Sequence, residues 1–509
     1  MFRKFLSSAM LIGVVAACST NPSRHASTTA TPQVFQSEEN EGQLERPTPL
    51  TARQRREVER RFRLAAQETA QTSYAVSSDS DQDTEPAVTT QNINSADRTT
   101  VAFIKITNPV SPFRARIYTT STTNLTSFPT PTALSIPASG LSGVTYTNTA
   151  DPTLAYDLLG LNTPAYQMYC AGLAYNMDSY GNHPNGGVAV WRSSDGGSTW
   201  SGSTIVAETS GTHVYDKPVV AVSWNNVSFD GHGPLGGHVY VAWVDVDTSS
   251  LTGNHIYFSR STDGGVTWSS PLTIATGFVH TPQIVVPSNT GRVFVLYARY
   301  NTTNSRTNSI EAYRSLDDGS TFSSIATLSS TNLLGPTLAG TNCSTSGDCL
   351  NGVHARSVFQ ARYNPGVGLQ LVWHGADPNN SSQSDIYYAY YNGSWTSMNL
   401  TPSATNDQFN PAFDYDNSNN AVITWLDRRN DTNNLNYQPY FMKINTSGTV
   451  LQSAGALSSA ASDPSQYTLS PSVGEYIDSW FWNGQWVSAW PHVTGAGAGD
   501  INVTRITVP

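Results

Sequence analysis

The chain has 509 residues, 38% apolar and 13% charged, which supplies enough apolar material for a sizeable packed core and excludes disorder throughout. Its formal charge is −10, and four of its 27 basic residues are lysines (Lys4, Lys105, Lys217 and Lys443). Phosphate neutralisation needs a basic surface that this composition does not provide, so a nucleic-acid partner is not expected.

In chain order, Arg3 and Lys4 precede an apolar stretch over 5–17 that is too short to span a bilayer and reads as a signal peptide, 1–17. The run Val15-Ala16-Ala17-Cys18 resembles the lipobox of bacterial lipoproteins. That resemblance implies an acylated Cys18 as the membrane anchor and, with Ser19 rather than Asp following it, an outer-membrane or cell-surface location. Residues 18–97, rich in Ser, Thr, Gln and acids, read as a tether carrying one short Arg-rich helix at about 51–71.

From about residue 98 the sequence changes to short β-branched and aromatic runs separated by Gly, Asn, Asp and Pro, the pattern of an all-β domain. Residues 98–150 read as lead-in strands, of which 101–107 or 116–120 can complete the last sheet of a closed ring. Three segments, 193–200, 261–268 and 315–322, share the spacing S-x-D-x-G-x-T-(W/F). Each reads as a hairpin in which Asp195, Asp263 or Asp317 accepts backbone N–H groups, glycine supplies positive φ, and Trp200, Trp268 or Phe322 packs beneath. The motif resembles the Asp-box of the sialidase and BNR-repeat families, which implies a six-bladed β-propeller over 151–509.

A second ladder places Trp243, Tyr297, Trp373, Trp425 and Trp490 at equivalent positions of buried strands. With a unit at the front of the domain these make six. Cys343 and Cys349 flank a short polar loop and are expected to form a disulfide in an exported protein, while Cys170 lies in an apolar strand and reads as a buried thiol.

Propeller geometry gathers the starts of innermost strands and the ends of second strands at one mouth of the channel, with the Asp-box hairpins as braces at the other. The first set contributes Asp151, Asp216 with Lys217, His280, His354 with Arg356, Asp407 with Gln408, and Glu475 with Tyr476. The second contributes Asp245, Arg299, His374, Asp427 with Arg428 and Arg429, and His492. By resemblance to sialidases, Arg299, Arg356 and Arg428 or Arg429 would clamp a sugar carboxylate, Tyr476 would attack, and Asp216 or Asp427 would handle the proton. Glu475 stands near the channel, but on a regular strand it and Tyr476 point to opposite faces, leaving Asp478 or Asp427 to assist the tyrosine. The family's F/Y-R-I-P segment has no match, and 113–117 (FRARI) only echoes it.

There is no HExxH, CxxC pair, GxSxG or P-loop, so no cofactor and no metal site are expected; the Asp-rich loop at 414–417 is explained equally by turn chemistry. The expectation is therefore a surface-anchored, sialidase-like propeller that engages glycans, as an exo-acting α-sialidase-like hydrolase or as a non-catalytic glycan- or protein-binding adhesion module.

Overall fold

The computed structural model describes residues 73–507 apart from positions 80, 94–95, 109–112, 158–166, 179–181, 225–235, 251–252, 288–291, 301–306, 330–348, 351–352, 355–357, 365, 380–382, 403, 467–472, 483 and 496–497. Cys18, the expected helix at 51–71, Arg356 and Cys343 lie outside the described residues.

Strands dominate because the sequence alternates β-branched and aromatic residues with turn formers, and among the described residues the one helical element is a single turn, Pro464–Gln466. Five sheets are four-stranded antiparallel meanders, built from consecutive strands within 148–210, 213–276, 279–329, 360–399 and 408–456. A larger sheet contains two further units. One is Gln82–Ile93, Ala96–Asn108, Arg114–Thr122 and Thr132–Ala133. The other is Asp478–Trp482, Gln485–Gly495 and Ala498–Thr507, with Ser73–Ala75 added antiparallel as its fourth strand. The two units join through the parallel pair Gln82 and Gly499.

The innermost strand of each unit touches that of the next around the whole series, and Asp478–Trp482 returns to Gln82–Ile93. The described strands thus form a β-propeller whose series of sheets returns on itself, with seven units among the described residues rather than the six expected. The missed unit begins inside the segment read as tether. Its first strand, QDTEPAVTTQNI, is polar in composition yet almost wholly buried, because threonine is β-branched and its hydroxyl pairs within the sheet, as in Thr90 with Thr99 at 2.8 Å. The closing strand is Ser73–Ala75; residues 101–107 and 116–120 are the second and third strands of the first unit.

Each second strand is sandwiched between neighbouring units, and the aromatic ladder Trp243, Tyr297, Trp373, Trp425 and Trp490 is buried to 1% exposure or less. One such ring covers about 150–250 Å², worth roughly 4–6 kcal/mol before entropy at ~25 cal/mol per Å². The apolar clusters run between units, as where Trp373 and Tyr387 pack with Phe294 and Leu296 of the preceding sheet. Cys170 is fully buried in one of them, and burial pushes its thiol far above the ordinary range.

Candidate functional site at the channel

Five of the seven innermost strands carry one local device. Glu85, Asp151, Lys217, Thr281 and Asn410 have φ between 48° and 55°, each precedes a proline, and each lies at a register shift in the ladder. Proline disfavours the right-handed helical region for the residue before it and cannot donate to the ladder, so the strand bulges there. The bulge turns a side chain that would otherwise lie against a sheet toward the channel axis. Holding non-glycine residues in this conformation costs about 1 kcal/mol or more each, which the packed sheets on either side sustain.

The result is a buried charged cluster drawn from four units. Lys217 Nζ lies 3.0 Å from Glu475, 3.6 Å from Asp151 and 3.8 Å from Glu85. Their exposures are 6%, 2%, 1% and 2% in the order Lys217, Glu475, Asp151, Glu85. Asp216 accepts the Lys217 backbone N–H at 2.8 Å and pairs with His280 Nε2 at 3.2 Å, extending the cluster into the fourth unit. Asn410 donates to the Gly474 carbonyl at 3.0 Å. Gly474 itself sits at φ 81°, where a Cβ would strike Thr84 and Glu85.

The electrostatics follow from burial. Desolvation pushes the Glu85 carboxyl up to about 8 and Asp151 up to about 7, against the opposing pull of Lys217. Burial alone would lower Lys217, but Asp151, Glu475 and Glu85 outweigh it and hold the ammonium well above its usual range. Burial also raises the Tyr476 phenol, reinforced by Glu85 and Asp151.

A cavity of about 820 Å³, including its open mouth, runs along the channel from this cluster. Its lining includes Asp151, Lys217 and Tyr476 from the cluster, together with Gln360, Arg362 and Asp478. Arg362 lies 3.8 Å from Asp478, which also accepts the Val88 N–H at 3.0 Å; burial raises Asp478 to about 6, with Arg362 opposing.

The structure brings together Asp151, Asp216, Lys217, His280, Glu475 and Tyr476 from the sequence-derived set. Glu475 and Tyr476 do not point apart: the backbone there is a bend ahead of the strand Asp478–Trp482, so both side chains meet Lys217, Tyr476 through its ring face at 5.6 Å. The Tyr476 hydroxyl donates to the Pro152 carbonyl at 3.2 Å, which ties its proton to main chain rather than to a carboxylate base. Glu85 was missed because it falls within the supposed tether; the signal that finds it is Glu85-Pro86, which matches Asp151-Pro152 and Lys217-Pro218.

Among the described residues, Arg299, Arg428 and Arg429 do not come together as a clamp; Arg356, its third member, lies outside them. Arg299 is bound by Glu311 of its own unit and lies over the Tyr297 ring. Arg428 is fully buried two units away between Asp407, at 3.1 Å, and the Leu350 carbonyl, at 2.9 Å. Arg429 is paired with Asp427 at 2.6 Å. Asp427 also accepts the Trp425 indole N–H at 2.7 Å, so it is a structural anchor rather than a proton carrier at the channel. None of these groups borders the cavity. For Arg428, fully buried, such a partner is required; Arg299 and Arg429 are partly exposed and pair with a carboxylate of their own unit as well.

The three S-x-D-x-G-x-T hairpins share one set of bonds. In each, the aspartate accepts the backbone N–H and hydroxyl of the threonine four residues on (Thr199, Thr267, Thr321), and the leading serine accepts a glycine N–H. They connect third and fourth strands and lie away from the Lys217 cluster. Cys349 belongs to a two-stranded ribbon with Val353–His354, and its expected bridge to Cys343 falls outside the described residues. Among the described residues no group of three or more His, Cys, Asp or Glu is arranged to hold a metal ion.

No family model matches the chain. A xyloglucanase from a Paenibacillus species is 34% identical over 119 residues, covering 22% of this chain and 11% of that protein, so the match spans about a tenth of the relative's length. Among solved structures the chain is similar to phage phi92 endosialidase (TM-score 0.47, 10% identity, 86% of this chain and 69% of that one). It is similar to the Hadza microbial sialidase Hz136 (0.44, 12%, 84% and 66%). It is also similar to a Penicillium chrysogenum α-L-arabinanase complexed with arabinobiose (0.44, 12%, 86% and 99%).

Proposed function

We propose that this protein is a glycan-acting propeller whose ligand is neutral rather than acidic and enters the channel between the Lys217 cluster and Arg362. The observation that carries this reading is the balance of charge. Four carboxyl groups (Glu85, Asp151, Asp216 and Glu475) surround Lys217, and no cluster of free arginines among the described residues offsets them. Glu475 lies 3.0 Å from Lys217 and Asp478 3.8 Å from Arg362, so the cations at the cavity are already matched while Glu85 and Asp151 keep protons. A sugar carboxylate gains no unmatched positive charge there, and the ligand in this reading is a neutral polysaccharide in place of the sialoside expected from the motif resemblance. The partial likeness to a xyloglucanase supports the same class.

Hydrolysis of a glycoside needs one carboxyl holding a proton and another free to accept one. Asp151, raised to about 7 in the cavity lining, is the general acid in this reading, and Asp478, raised to about 6 in the same lining, is the base. Lys217 sets how many protons the cluster keeps, and Tyr476 walls the cavity. A second reading, binding without turnover, is favoured by the near-complete burial of Glu85, Asp151 and Glu475.

The test is release of reducing ends by the full chain from xyloglucan, linear arabinan and sialyllactose. Turnover of a neutral polymer that falls about 100-fold or more in Asp151→Asn is expected. Retention of a neutral polymer without product assigns the binding module, and sialyllactose cleavage lost in Arg428→Ala overturns both readings. An acylated Cys18 that anchors the exported chain at the cell envelope belongs to the same proposal; labelled palmitate should enter the wild type and not Cys18→Ser.

A further inference from the structure

The first and seventh units share one parallel backbone pair, Gln82 with Gly499, at the end of the ring that carries the Lys217 cluster, and are joined beyond it by side chains: Asp478 accepts the Val88 N–H at 3.0 Å, and Val88, Val101 and Phe103 pack with Val487, Ala489 and Ile501. Toward the other end no further backbone pairing joins them among the described residues, and the link is made by the Trp482 indole bonded to Asp97. An open cleft of about 710 Å³, its mouth included, lies beside this link, separate from the channel cavity and bordered by Trp482, Asp97, Gln485, Thr122 and Arg505.

We infer that this seam is a second saccharide-binding site, with Trp482 as its stacking platform. The indole is held from two sides. Its N–H donates to Asp97 Oδ1 at 2.9 Å, and its ring stands edge-on to Tyr156, 6.3 Å away at 83°. Asp97 is in turn fixed by Asn92 Nδ2 at 2.9 Å. A half-buried indole with its orientation set by a carboxylate loses little freedom when a ligand covers it, which is what a binding platform requires.

The remaining lining is polar: a guanidinium on Arg505, the Gln485 amide and the Thr122 hydroxyl, around an apolar floor at Val487 and Leu125. A sugar ring presents an apolar C–H face to an indole and a rim of hydroxyls to amide, carboxylate and guanidinium groups, so it fits this set. A purely apolar ligand would leave the polar rim unpaired. The site takes its ligand class from the channel reading, yet its geometry is independent of it.

The experiment is affinity electrophoresis of the full chain through gels containing xyloglucan or linear arabinan, with Trp482→Ala, Arg505→Ala and Asp151→Asn beside the wild type. Thermal melts and a Trp482→Phe variant guard against loss of folding. Retardation that weakens about fivefold to tenfold in Trp482→Ala and less in Arg505→Ala, with Trp482→Phe retaining part of it, is expected. Unchanged retardation in folded Trp482→Ala and Arg505→Ala, with loss in Asp151→Asn, overturns the seam site and leaves the channel reading standing. Loss in Trp482→Ala alone supports the seam and counts against the channel as the main binding surface. No retardation by either polymer overturns both.

Discussion

The same side chain does opposite work at the two ends of this propeller. In the S-x-D-x-G-x-T hairpins, burial raises Asp263, but the hydrogen bonds it accepts from Thr267, Ser261 and the Val266 N–H together outweigh it and hold the carboxyl down to about 2. Asp195 and Asp317 are lowered in the same way. At the channel, burial dominates and Asp151 rises to about 7. A carboxylate surrounded by donors from its own turn is fixed as an anion and braces structure. One surrounded by other carboxylates and a single lysine becomes a proton store.

The largest expected effect is at Lys217. Lys217→Met leaves the carboxyl groups of Glu85, Asp151 and Glu475 without their shared cation, and a loss of at least about 3–5 kcal/mol is expected in urea denaturation. Adding Glu85→Gln should restore part of it; no recovery would mean that the cluster is not coupled. Arg428→Ala should cost about 3 kcal/mol by stranding buried Asp407, with no change in glycan retardation, because that arginine supports a sheet and not the cavity.

Smaller effects appear in pH dependence, and the two ends should slope oppositely. A carboxyl whose folded pKa is raised keeps its proton in the native state and loses it when unfolded. Stability therefore falls as pH rises from about 4.5 to about 8, by up to ~1.4 kcal/mol per pH unit for one group. Glu85→Gln should reduce that slope by its own share, with Asp83, raised by burial to about 8, and Asp151 and Asp385, raised to about 7, contributing the rest. The hairpin aspartates, with lowered values, contribute stability above about pH 4 that is lost as pH falls toward about 2. Asp263→Ala, the smallest change, should cost about 1 kcal/mol and erase part of the acid limb while leaving glycan retardation untouched.

What was readable in the sequence follows the same division. The hairpins are local: serine, aspartate, glycine and threonine within seven residues determine the bonds, so reading them required no knowledge of the ring. The aromatic ladder was legible because each tryptophan closes a run of apolar residues. The opening strand of the first unit, Gln82–Ile93, was not, since its threonines and other polar residues hide its burial; the strands at 101–107 and 116–120 were read as strands but not as parts of a unit of their own. Asp151, Asp216, Lys217, His280, Glu475 and Tyr476 could be nominated from their places at strand starts. Which of them meet depends on bulges before Pro86, Pro152 and Pro218, a repeated dipeptide pattern that becomes meaningful once the strands are aligned. The arginines misled because charge type alone does not reveal that Glu311, Asp407 and Asp427 already neutralise Arg299, Arg428 and Arg429.

The proton store at the channel is open to direct measurement by infrared spectroscopy of the full chain near pH 6, reading the protonated-carboxyl band in wild type, Glu85→Gln, Asp151→Asn and Asp263→Ala. A band present in wild type, reduced in Glu85→Gln or Asp151→Asn and unchanged in Asp263→Ala, is expected. A wild type with no such band, its carboxyl groups all ionised at that pH, would contradict a buried cluster that keeps protons around Lys217.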